Sequence, residues 1–248
     1  GGRRIIENKL FSQCYLGRHF RNLCCCEALI LGYSPEDSDF LENQVSIWLE
    51  SDLPIYHWLH RVPAERIERF YRGFLKRCRK VLYDGGVEGD AYDAIDWPSG
   101  SRIADFALAR TLPLRQHIGQ FISRFSPDEL VDGLQSLRIR HSEETGRMAF
   151  QLLRWHQSAL ERCFHGREGL EDLSIGLDPL ESGQGDCCLR VDWTYADPDR
   201  RLEVVYDRSR KAGRIRASLP SGNFEHALHI EPLSGEAVLG EALFFSET

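Results

Sequence analysis

The sequence predicts an α/β protein, with an N-terminal Rossmann-like α/β domain built on a mostly parallel sheet and a C-terminal antiparallel β-rich domain. Three observations predict it. The stretch DLPIYHWLH, Asp52 to His60, combines a proline that fixes its own φ and extends Leu53 with a run of large apolar residues. It reads as a strand apolar on both faces, of the kind found inside a helix-covered sheet. Next, Ile67, Phe70, Tyr71, Phe74, Leu75 and Cys78 recur at i, i+3, i+4, i+7, i+8 and i+11, tracing one helical face before a strand at Lys80 to Asp84. Strand, helix and strand within about 30 residues make a βαβ unit, and hence a parallel pair with a right-handed crossover. Finally, Leu189, Val191, Trp193 and Tyr195 alternate with polar residues, as do Leu202, Val204 and Tyr206, then Ile215, Ala217 and Leu219, then Leu228 and Ile230. Turn-forming ADPD, DRSRKAG, LPSGN and PLSGE separate them, which describes an antiparallel meander with one buried face.

The other elements follow in chain order. Residues Gly1 to Leu23 show no sustained period. CCCEALILGY, from Cys24, reads as a first strand near the sheet edge, SPEDSD as a loop, and Val45, Trp48 and Leu49 as one face of a short helix. Pro63 suits a helix start, and Gly85 and Gly86 stop the Lys80 strand. Ser101 caps a helix through Ile103, Phe106 and Ala107 that gives way before Pro113. Leu114, Ile118, Phe121, Ile122 and Phe125 lie on the inner face of the next helix. Leu137 and Ile139 alternate with Arg138 and Arg140 in a strand of more exposed character. Met148, Leu152, Trp155, Ala159 and Cys163 give a further helix of about four turns. The Gly- and acid-rich GREGLEDLSIGLDPLESGQGD lacks periodicity, so the domains divide as 1–165 and 186–248, with 166–185 as linker.

At 248 residues, 42% of them hydrophobic, the chain is long enough for substantial cores. Its 38 acidic residues against 31 basic ones give a net charge of −7, which argues against nucleic-acid or anionic-membrane binding. No apolar run approaches the roughly 20 residues of a bilayer span, and GGRRIIENKL lacks the apolar core of a secretion signal. The eight cysteines are then thiols of a reducing compartment, and a cytoplasmic location is expected.

No segment carries a complete catalytic motif: Gly-x-Ser-x-Gly elbow, Walker loop and His-Glu-x-x-His are all missing. In KVLYDGGVEGD, glycines follow a strand directly, at the edge where open parallel sheets bind ligands. Gly85, Gly86 and Gly89 with Asp84 at the rim form a candidate ligand loop for a sugar phosphate or nucleotide. Against it stand the incomplete glycine spacing and the acids Glu88 and Asp90. Cys24, Cys25 and Cys26, consecutive on a strand, point to alternate faces and make a poor metal site; with Cys187 and Cys188 they are redox candidates. The His57/His60 and His226/His229 pairs fall at an odd strand offset, so neither chelates readily, and no metal is expected. Asp52, Asp84, Asp96 and Asp105 are scattered. Arg61 to Lys80 carries eight basic residues against Glu65 and Glu68, a solvated face or a docking surface for an acidic partner.

From about Cys24 onward, the order of elements and several motifs resemble the glucose-6-phosphate dehydrogenase assembly protein (OpcA) family. The pieces that carry the resemblance are CEALILGY leading to VSIWLES, DLPIYHWLH, KVLYDGG, IDWPSG, ARTLPLRQHIGQF and the closing LGEALFF. It implies a non-enzymatic protein without cofactor and with an α/β first domain, which binds glucose-6-phosphate dehydrogenase and promotes its active oligomer. A link to redox control in photosynthetic relatives adds interest to the cysteines. Two departures from the family pattern stand out: much of the family's opening segment has no counterpart in this sequence, which leaves the completeness of the N-terminal domain open, and His57-Trp58 stands where Trp-Trp is common. Matching positions make Asp52, Pro54, Trp58, Asp84, Trp97, Arg110, Pro113, Arg115 and Gln120 the family-like residues. Arg110, Arg115, Trp58 and Gln120 become the expected partner contacts, although an arginine on a helix equally serves internal pairing.

Overall fold

The computed structural model describes residues 8–16, 23–31, 54–99, 102–164, 169–180 and 189–245. In chain order the elements are β1 (Asn8–Leu16), β2 (Leu23–Leu31), β3 (Tyr56–Trp58), α1 (Ala64–Arg66), α2 (Arg72–Leu75), β4 (Lys80–Tyr83), α3 (Gly85–Glu88), β5 (Arg102–Asp105) and α4 (Phe106–Arg110). Next come α5 (Leu112–Ile122), α6 (Pro127–Val131), β6 (Leu134–His141), α7 (Gly146–Cys163), β7 (Ser174–Pro179), β8 (Leu189–Tyr195), β9 (Arg201–Asp207), β10 (Ala212–Leu219), β11 (Gly222–His229) and α8 (Gly235–Phe244). They form a mixed α/β structure with a three-stranded parallel sheet, order β3-β4-β5, and a separate six-stranded sheet, order β11-β10-β9-β8-β6-β7. In the larger sheet β6 and β7 are parallel and every other pairing is antiparallel.

The βαβ expectation holds: β3 and β4 are parallel, joined through α1, a π-helical turn at Ile67–Tyr71, and α2. Alternation along β4 sends Val81 and Tyr83 to the face covered by Ile67, Phe74 and Leu75. Leu82 goes to the other face, where Ala104, Phe106, Ala109 and the α8 residues Val238 and Ala242 cover it. β3 departs from the expectation of a strand buried on both faces. It is a three-residue edge strand, and Trp58 is 55% exposed, because an apolar composition does not say how many neighbours a strand has.

The segment expected to be a helix capped by Ser101 holds β5, parallel to β4, and the helix begins only at Phe106. Asp105 is its cap, accepting from the Ala107 amide at 2.8 Å. Pro113, expected to follow a helix end, lies in the first turn of α5, where its missing N–H costs nothing.

One face of the six-stranded sheet packs under α5 and α7, through Leu114, Ile118, Phe121, Leu152 and Leu160. β6 is central rather than exposed, with Leu137 and Ile139 fully buried between β7 and β8. The expected linker contains β7, which pairs parallel with β6. LGEALFF, expected to close the β-rich domain, belongs to α8, which packs on α4, β4 and β5. Sequence from 134–141 thus completes the C-terminal sheet, while sequence from 235–244 completes the cover of the N-terminal one. β1 and β2 form an antiparallel hairpin of their own, not a strand at the edge of the parallel sheet, with Cys14 opposite Cys25 in register. The Val45–Leu49 helix lies outside the described residues. No helix among the described residues is long and apolar enough to cross a membrane.

His156, on α7, is buried between Trp155 and Trp193, at ring-centroid distances of 4.7 and 5.7 Å. Its Nε2 and the Trp193 Nε1 have no hydrogen-bond partner among the described residues. Burial lowers the pKa of His156 to about 3, and burial acts in the same direction on His57, packed edge-on to Phe74. Because the folded pKa lies below the unfolded value, this contribution is intact above about pH 6.5. It is lost as pH falls toward about 3, since the unfolded chain takes up a proton that the fold refuses. Urea unfolding should therefore show a loss of about 2 kcal/mol from His156 between pH 7 and pH 5. His156→Gln should remove that part of the pH dependence, and an unchanged pH profile would count against a neutral buried imidazole.

Candidate functional site

The carboxyl ends of the three parallel strands bring together Trp58 from β3, Asp84 after β4, and Asp105 and Phe106 at the end of β5. Open parallel sheets bind ligands at this edge, because helix N-termini and short loops converge there. Here the edge is organised by carboxylates. Asp105, with no exposure, accepts from the Gly85 amide at 2.8 Å, the Ala107 amide at 2.8 Å and the Gln151 amide group at 2.6 Å. Arg147, from the first turn of α7, donates to it from Nε at 3.1 Å and Nη2 at 2.8 Å. The same guanidinium forks onto both oxygens of Asp93 and lies 3.4 Å from the Tyr83 hydroxyl. Desolvation alone would lower the pKa of Arg147, but the bonds and charges of Asp93 and Asp105 outweigh it and raise it. Burial, then the charge of Asp105, raises the pKa of Tyr83, so its hydroxyl stays protonated.

Asp84 caps α3 by accepting from the Gly86 amide at 3.1 Å, and both its oxygens take the fork of Arg110, at 2.7 and 2.6 Å. Burial pushes this carboxyl up, yet Arg110 and the Gly86 amide hold it below its ordinary value. The expected ligand loop is therefore closed to an anion at two of its three glycines. The Gly85 amide is bonded to Asp105 and the Gly86 amide to Asp84, so neither is available to a phosphate. Gly85 serves close packing instead, because a Cβ there would collide with the Arg147 guanidinium and the Asp105 carboxylate. Gly89 serves backbone shape, with φ +69° and open space around it.

The two arginines expected to touch a partner are engaged within the chain. Arg110 grips Asp84. Arg115 donates to the Thr111 hydroxyl at 2.9 Å, approaches the Leu108 carbonyl at 3.4 Å and lies 3.7 Å from Glu241 on α8. Gln120 is exposed on α5, away from these contacts. Trp58 is open to solvent on one side and meets Phe106 edge-on at 5.1 Å on the other. Trp97, which the family-like pattern singled out, stacks on Tyr83 at 5.9 Å and is structural.

These strand ends form one wall of a cleft of about 610 Å³, which falls in the range of small-molecule sites. Trp58, Asp84, Phe106, Arg110 and Pro113 line that wall, Tyr206, Arg208 and Ile230 come from the six-stranded sheet and its turns, and Leu233, Val238 and Leu239 from the α8 region. Sequence reasoning missed Arg147, Tyr206 and Arg208. A cation in the first turn of a long helix opposes the helix dipole, which was the one signal that Arg147 answers a buried carboxylate.

Cys24, Cys25 and Cys26 lie in β2, opposite Tyr15, Cys14 and Gln13, far in sequence from the cleft; Cys187 and Cys188 lie outside the described residues. Among the described residues no group of three or more His, Cys, Asp or Glu is placed to hold a metal ion. The basic stretch from Arg61 is not a uniform outer face. Lys80 is buried and donates to the Ala242 carbonyl at 3.0 Å, and Arg72 pairs with Asp96 at 2.8 Å. Comparison with protein-family models, curated proteins and solved structures finds no match for this chain.

The two glycines are separable by mutation. Gly85→Ala should cost about 2–3 kcal/mol, because the displaced groups are a buried carboxylate and its guanidinium. Gly89→Ala should cost about 1–3 kcal/mol from backbone strain alone, because φ +69° with ψ −165° is a conformation kept for glycine. Urea unfolding of both variants in the parent chain and in an Arg147→Ala background separates the two causes: the cost of Gly85→Ala should shrink without the guanidinium while that of Gly89→Ala stays, and an unchanged cost at Gly85 would contradict its packing role.

Proposed function

We propose that this chain is a non-catalytic assembly protein that binds glucose-6-phosphate dehydrogenase in the cytoplasm and promotes its active oligomer. In this reading the parallel sheet is a small Rossmann-like unit whose carboxyl edge serves as the docking surface. What supports it is the convergence of the family-like residues. Trp58, Asp84, Arg110 and Pro113 come from the three separate motifs DLPIYHWLH, KVLYDGG and ARTLPLRQHIGQF, yet all line one cleft. The carboxylates and guanidiniums there neutralise one another, an arrangement suited to holding a surface in shape rather than to moving protons. Trp58 supplies the contact, since a half-exposed aromatic braced from behind by Phe106 is the type of residue that anchors interfaces. Arg110 and Arg115 act indirectly, by fixing the strand ends and α8.

Mixing the pure chain with glucose-6-phosphate dehydrogenase from the same source should give co-elution on gel filtration and a rise in dehydrogenase activity. Trp58→Ala should weaken the complex by about tenfold or more, as loss of an aromatic anchor does. No co-elution with the intact chain, together with unchanged activity, would remove this reading.

A further inference from the structure

The cleft has an apolar interior and four charged residues on its walls, and two of those charges answer each other. Asp84 and Arg110 close on each other at 2.6 and 2.7 Å. Glu236, in the first turn of α8, turns back on its own helix. Hydrogen bonds to its own amide and to Ser234 hold its carboxyl below the ordinary range. Arg208 is different. It follows the end of β9, lines the cleft, and its guanidinium has no ion pair or hydrogen bond among the described residues. The interior between Arg208 and Trp58 is formed by Phe106, Met148, Leu233, Val238 and Leu239. Several of these carry surface that another apolar group would cover, Trp58 at 55% exposure and Leu239 at 36%.

We infer that the cleft binds a small amphipathic molecule, its apolar body lying between Trp58 and the α8 side chains and its single anionic head group on Arg208. The volume of about 610 Å³ suits a ligand of that size, and the chemistry follows from the walls. An apolar body buries the exposed aromatic and aliphatic surface, and an anion meets the one cation that lacks a counter-charge. A sugar phosphate or free nucleotide would bring several charges and hydroxyls to an interior that offers them few partners. The site shares Trp58 with the docking surface proposed above, but its other side chains come from Phe106, the turn after β9 and α8, and it is tested without any second protein.

The test is titration calorimetry of the full chain with decanoate, decanol and decylamine, below the concentrations at which they self-associate. Decanoate should bind saturably at one site per chain, more tightly than decanol and far more tightly than decylamine. Arg208→Ala, a change on an exposed turn, should weaken decanoate about tenfold and leave decanol unchanged. Leu239→Glu should weaken both, with the melting temperature confirming that each variant is folded. Three results would overturn the inference: no saturable decanoate binding to the intact chain, equal affinity for the three head groups, or decanoate affinity indifferent to Arg208→Ala.

Discussion

A carboxylate with no exposure is the constraint on which the rest of this structure depends. Stripping Asp105 of water costs several kcal/mol, and an unpaired charge in that position would unfold the region. Five donors offset the cost: two backbone amides, two guanidinium nitrogens and a carboxamide. Bonds to a charged group contribute roughly 1.5–3 kcal/mol each, so the five together offset the desolvation, and loss of the guanidinium removes two of them and the counter-charge at once. The donors come from three separate places in the chain: Gly85 after β4, Ala107 in α4, and Arg147 and Gln151 in α7. Asp105 can be satisfied only when all three are in position, and it therefore specifies where the parallel sheet sits against the helix that covers the larger sheet.

The same interdependence runs through the tail of the chain. α8 lays Val238 and Ala242 over Leu82 and Ala104, accepts Lys80 at its last turn and places Glu241 near Arg115. A lysine on a terminal carbonyl suits the negative end of a helix. The cleft is a product of these contacts. One wall belongs to the parallel sheet, one to the six-stranded sheet and one to α8, so its shape persists only while all three stay joined.

Much of this was legible in the sequence where periodicity is long. The face Ile67, Phe74, Leu75 and Cys78, the helix from Met148 to Cys163 and the alternation from Leu189 to Leu228 reappear as α1 through α2, α7 and β8 to β11. What was hidden is short or depends on tertiary partners. RIAD and SIGLDP are too brief to show a period of two, and each becomes a strand because a parallel neighbour offers its edge. In GEAVLGEALF, helical spacing of Val238 and Ala242 competes with the preceding meander pattern, and packing on β4 decides for helix. The candidate site was legible as an edge, through Asp84 and the glycines after it, but not as a cleft. Nothing local couples Asp84 to Arg110, Asp105 to Arg147, or either pair to Arg208.

The most direct measurement of this account is native-state hydrogen exchange on Arg147→Met, which keeps much of the side-chain volume and deletes the charge. If the buried carboxylate joins the two sheets, amides of β4 and β5 should lose protection sharply while those of β8, β9 and β10 keep theirs. Uniform loss across both sheets, or protection of β4 and β5 equal to that of the parent chain, would contradict the central place given to Asp105.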